Sequence, residues 1–271
     1  KDGVTNVSDY ALFFLPAATQ VTLPESVTRI GRYGIAMCSK LTGMSIPKGV
    51  AGIGDFGLAG DGLTAVTLPD GLQSLGRGAF DSCASLTNTT LPAAITAVPG
   101  KCFADCTKLL NVKYAGTVTA IGDLAFESCK ALTAAPIPET VTELGASAFT
   151  GCTALTDVTL PAGVTAIAGG AFAEVTALRE LDLSGITSIG AYAFAGSGLT
   201  HVTLPAGLDA LPDGLFYGCR SLTEVTGLDH VRTVGRETFR GCVGLRTVDM
   251  PVAERFGEGA FRSSGLSTLH A

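Results

Sequence analysis

One phrase, returning every 22 or 23 residues, constrains this chain more than any other property. Its fullest form runs Val141-Thr-Glu-Leu144-Gly-Ala-Ser-Ala-Phe149-Thr-Gly-Cys152-Thr-Ala-Leu155-Thr-Asp-Val158-Thr-Leu160-Pro161. A unit this short cannot enclose a core of its own. It buries its apolar residues only by stacking on copies of itself, which is the logic of a solenoid. The 271 residues therefore read as a single array over 1–271 with about eleven coils.

The clearest marker of the period is a column of phenylalanines: Phe80, Phe103, Phe126, Phe149, Phe172, Phe194, Phe216, Phe239 and Phe261. Leu12, Ile35 and Leu58 extend it backwards at the same step. Nine of the thirteen phenylalanines lie in this column, so it is read as a physical stack. A leucine follows five or six residues later, as in Leu86, Leu155 and Leu222, and is also placed inward.

Beyond that leucine comes an alternating x-Val-Thr-Leu-Pro phrase, as at Val66–Pro69 and Val202–Pro205. Alternation with β-branched residues predicts a short, half-buried parallel strand. The proline that follows has no N–H for the ladder and ends it. Around Ala-Phe-x-x-Cys-x-x-Leu the inward residues fall three apart, which predicts a helical turn. The expected coil is thus one strand plus one helical turn, an α/β-type solenoid. Pro136 falls inside its strand phrase and predicts a local break there.

These phrases resemble the BspA-like class of leucine-rich repeat, a family of bacterial and protozoan surface proteins. The resemblance spans nearly the whole chain. It implies a right-handed superhelix with parallel strands on one face, export to the cell surface or secretion, and in some members adhesion to host proteins. It implies no catalytic residues.

Charge and motifs narrow the function further. The net charge is −6, and no Lys/Arg cluster is available to neutralise phosphates, so neither nucleic acid nor an anionic membrane is the expected partner. No apolar run reaches the roughly 18 residues that span a bilayer, and Asp2 and Asp9 spoil the start of the chain as a signal peptide. Because the first and last repeats are incomplete, the chain reads as a piece of a longer protein. Gly52-Ile-Gly54-Asp-Phe-Gly57 matches the phosphate-cradling Gly-x-Gly-x-x-Gly, but no βαβ unit follows it. No catalytic motif appears, and His201, His230 and His270 lie in different coils. Neither catalytic residues, nor a metal site, nor a cofactor is expected.

Seven of the eight cysteines stand three residues after the aromatic column. That position is read as a ladder of buried free thiols, since stacked parallel side chains do not converge as a disulfide requires. Cys102 alone falls outside the pattern. Asn6-Val-Ser8 and Asn88-Thr-Thr90 match the N-glycosylation sequon, which would be silent in a bacterial protein.

What remains is the outward side of the strands. It is small and nearly neutral up to Pro136, then carries Asp157, Glu180, Asp182, His201, Glu224 and Asp249. These six are the candidate ligand-binding residues, an acidic face for an extracellular or host-surface protein or glycan. Two other expectations compete with it. The array could be a spacer holding another domain away from the surface, or it could self-associate through exposed end coils.

Overall fold

The computed structural model describes residues 3–271, so Asp2 lies outside the described residues. It divides into two compact units, Lys1–Leu132 and Thr133–Ala271. Each holds six copies of the repeat, so the solenoid has about twelve turns where the sequence reading gave eleven.

The aromatic column is the core of both units. In the first, Phe80, Phe103 and Phe126 are fully buried and stack with centroids 5.6 and 5.5 Å apart. In the second, stacking runs unbroken from Phe149 to Phe261, with centroids 5.3 to 6.3 Å apart and planes within 20°. The cysteines lie inside the stack: all eight are buried. They also have a task beyond filling space. The thiols of Cys83, Cys106, Cys129, Cys219 and Cys242 donate to the carbonyls of Leu58, Phe80, Phe103, Phe194 and Phe216. Each thiol thereby satisfies a buried acceptor in the preceding coil.

Two expectations require correction. The first is the helical turn, because the described residues contain no helix. A helix would spend every N–H within its own segment, whereas here alternate N–H groups are given to the next coil. Ser147, Phe149 and Gly151 donate to the carbonyls of Gly169, Ala171 and Ala173, while Ala148, Thr150 and Cys152 close local turns on Gly145, Ser147 and Phe149. The three-residue spacing that suggested helix comes from linked β-turns. Those turns place two residues per coil at positive φ, two before and two after the column, as with Ser147 (53°) and Gly151 (73°).

The second correction concerns strand number, since the two residues that stand six and five before the aromatic column also form a strand. In the first unit Asn6–Val7, Arg29–Ile30, Gly52–Ile53 and Ser74–Leu75 pair in parallel and in register. In the second, Ala210–Leu211, Thr233–Val234 and Arg255–Phe256 do the same. The glycine that follows such a strand is fixed by crowding: a Cβ on Gly54 would lie 2.8 Å from the Arg32 nitrogen of the preceding coil. The Gly-x-Gly-x-x-Gly match at Gly52–Gly57 is therefore a product of coil stacking.

The strands of the alternating phrase are less continuous. Gln20–Thr22 pairs with Gly43–Ser45, Asn88–Leu91 with Asn111–Tyr114, His201–Thr203 with Glu224–Thr226, and Thr247–Asp249 with Thr268–His270. The coil containing Pro136 keeps one bridge, Ala134 to Asp157, in place of a strand, which is the local break its missing N–H led us to expect.

Candidate functional site: the acidic strand face

All six candidate residues are exposed on the second unit, but the structure gathers them unequally. Glu180, Asp182 and His201 line one cleft of about 380 Å³, together with Ser184 and Thr203. His201, Glu224 and Asp249 line a second cleft of about 730 Å³, which also takes in Arg246. Asp157 lines neither cleft and is held back by main-chain bonds to Thr133 and Ala135.

The first cleft exists because the ladder opens there. Thr200 donates its N–H to Arg179, so the two coils meet just before the face. Beyond that point the main-chain groups of Leu181 and Asp182 bond to no neighbouring coil, and among the described residues the alternating phrase forms no strand at Leu181–Leu183. The sequence supplies the reason. Leu181-Asp182-Leu183 alternates like a strand, but the Asp182 carboxylate accepts the Ser184 N–H at 2.9 Å, a side-chain turn that competes with extended pairing. That bond, favouring the charged form, lowers the pKa of Asp182. No proline stands after Leu183 to stiffen the exit.

His201 sits between the two clefts. Its Nδ1 lies 3.1 Å from Thr200 Oγ1, and its Nε2 lies 3.9 Å from Glu224 Oε2. The histidine thus approaches Glu224 of the next coil and shares the first cleft with Glu180 and Asp182. Two cations escaped the sequence reading because they precede the outward positions. Arg179 donates to the carbonyls of Thr176 and Gly198, and Arg246 donates to that of Gly265. Both are tied to backbone at the margin of the face, leaving the carboxylates to dominate its centre. Such a surface can pair with cationic groups and offer unpaired main-chain donors and acceptors to an extended chain. Among the described residues, no group of three or more His, Cys, Asp or Glu side chains is placed to hold a metal ion.

The comparisons agree with this architecture. The family model for the BspA type leucine rich repeat region matches in six copies, over residues 1–74, 36–156 and 142–267. Among solved structures, a leucine-rich repeat protein from Bacteroides ovatus is 26% identical, with a TM-score of 0.78 over 99% of this chain and 79% of its own. A leucine rich cell surface protein from Faecalibacterium prausnitzii is 24% identical, with a TM-score of 0.71 over 98% of this chain and 83% of its own. A leucine-rich repeat protein from Eubacterium ventriosum shares 19% identity and a TM-score of 0.61, over 91% of this chain and 82% of its own. No curated protein matches the chain.

Proposed function

Because the chain belongs to the BspA-type leucine-rich-repeat family, whose repeats are generally protein-interaction modules, we propose that it is a non-enzymatic binding module acting at the cell surface or after secretion. Its ligand is a protein that presents a basic, extended segment to the acidic face around Glu180, Asp182, His201, Glu224 and Asp249. One observation supports this reading above the others. Carboxylates converge on a cleft at the place where the strand ladder leaves main-chain groups unpaired. A spacer has no need of such an opening. An unpaired strand edge recognises extended chains through main-chain hydrogen bonds, while side chains set the choice of partner.

Binding of the chain to immobilised extracellular-matrix proteins and to a Lys-rich peptide, compared with Glu180→Lys/Asp182→Lys, tests the assignment. Saturable binding by the parent chain that weakens with salt and is lost in the variant supports it. Undiminished binding by the variant places the contact elsewhere, and absence of binding by the folded parent chain favours a spacer.

A further inference from the structure

The turn positions at positive φ ask little of the side chain. Four coils carry glycine at the first of them (Gly78, Gly170, Gly214 and Gly259), and five at the second (Gly60, Gly151, Gly196, Gly218 and Gly241). Glycine is the least strained choice there. The first three coils do the opposite. Tyr10, Tyr33 and Phe56 occupy the first position and Phe14 and Met37 the second, all with φ between 49° and 60°.

These side chains form a continuous apolar ridge on the first unit. Tyr10 stacks on Tyr33 at 5.1 Å, and Tyr33 on Phe56 at 4.9 Å. Phe13 sets its edge against both tyrosines. Phe14 remains 61% exposed, Tyr10 50% and Met37 43%. Bulk at strained backbone and in water is unfavourable on both counts, and other coils show that the fold does without it. An apolar patch of this kind marks an interaction surface.

Charges beside the ridge specify what covers it. Asp9, Arg32, Asp55 and Arg77 stand one residue before the first turn position in four successive coils, all exposed and alternating in sign. Asp9 accepts the Arg32 N–H at 2.8 Å and Asp55 the Arg77 N–H at 2.9 Å, which fixes both carboxylates. None of the four side chains belongs to an ion pair among the described residues. The Arg32 guanidinium lies 5.6 Å from the Tyr33 ring, so the charged column borders the aromatic one.

We propose that this edge docks a second copy of the chain, antiparallel, about a two-fold axis passing between the second and third coils. Reversing the charged column sets Asp9 against Arg77 and Arg32 against Asp55 of the other copy. A two-fold axis makes each pair twice, the reciprocity of an isologous interface. A parallel copy would instead oppose like charges. The same reversal sets bulk against space: Tyr10 faces Gly78, Phe14 faces Ser82, Met37 faces Gly60, and Tyr33 meets Phe56. One alignment satisfies all three columns.

Sedimentation of the chain across a wide concentration range tests the proposal. A reversible dimer is expected, and a monomer at every concentration overturns it. Arg32→Asp and Asp55→Arg should each weaken dimerisation at least about tenfold, as like charges then face each other. An equal mixture of the two variants should restore it, because unlike charges then face each other again at all four positions. Asp55→Arg also removes the bond to the Arg77 N–H, so Phe14→Ser/Met37→Ser provides a variant with residues that other coils already carry. It should be monomeric and melt at the parent temperature. A dimer indifferent to both sets of substitutions overturns the proposal.

Discussion

Asp61 Oδ1 accepts the main-chain N–H of Cys38 at 2.8 Å, while its Oδ2, buried beside it, has no hydrogen-bond partner. Asp61 stands three residues after Leu58, at the position that Cys38 and Cys83 hold in the coils on either side. It is therefore a carboxyl in a column of thiols, only 2% exposed. Burial, only partly offset by the bonds from Cys38, raises its pKa from 3.8 to about 7.

The sign of the resulting pH dependence follows from that shift. The unfolded carboxyl ionises near 3.8 while the folded one stays protonated until about pH 7, so the folded state holds more protons in between. Stability should fall as pH rises through this window and level off above it. At about 1.4 kcal/mol for each pH unit, the loss is on the order of 4 kcal/mol. Denaturant unfolding followed by a probe in the first unit should show this slope, and Asp61→Asn should flatten it. A slope that survives Asp61→Asn would assign it to other carboxyls.

Phe172→Ala should cost about 3 to 5 kcal/mol, because it removes a ring stacked on Phe149 and Phe194 and leaves a cavity that the coils cannot close. Thr159→Ala, on the exposed face, should change stability by less than about 0.5 kcal/mol. Thermal unfolding of the two variants makes the comparison; equal effects would invalidate the inward and outward assignment.

The turn positions give a further test. A Cβ at Gly214, where φ is 62°, would lie 2.1 Å from the Tyr192 ring. Gly214→Ala should therefore destabilise by more than about 1 kcal/mol, since strain and a clash combine. Ser147→Gly relieves the same strain at φ 53° and should leave stability unchanged or slightly higher. Chemical denaturation would decide, and a neutral Gly214→Ala would contradict the turn geometry.

The thiols should be silent in the folded protein. Burial raises the pKa of Cys219 to about 11 and pushes those of Cys83, Cys106 and Cys242 up as well, so little thiolate is present at neutral pH. Labelling with a thiol reagent should be negligible until denaturant is added, then reach all eight cysteines. Rapid labelling of the native chain would mean that the coils open locally.

Some of this was legible in the sequence and some was not, for identifiable reasons. Phe80, Cys106 and Leu155 announce the stack because each recurs at a fixed step with the same chemistry. The turns at positive φ stay hidden because the residues holding them, Tyr10, Lys101, Ser147 and Gly170 among them, share a backbone angle and no side-chain property. The acidic face could be read off residue by residue, but not its clefts. Leu181-Asp182-Leu183 alternates like a strand, and only the bond from Ser184 to Asp182 shows that the segment leaves the ladder. Arg246 went unnoticed because it precedes the outward positions, yet it lines the second cleft.

The central claim is that a ligand engages the opened ladder between Glu180 and His201. Amide hydrogen exchange, with and without a saturating Lys-rich peptide, tests it most directly. The free chain should exchange rapidly at Leu181 and Asp182, whose N–H groups have no partner in a neighbouring coil, and the peptide should slow exchange there and at Thr203. Protection confined to other coils, or bound peptide with no protection at these amides, would contradict the account.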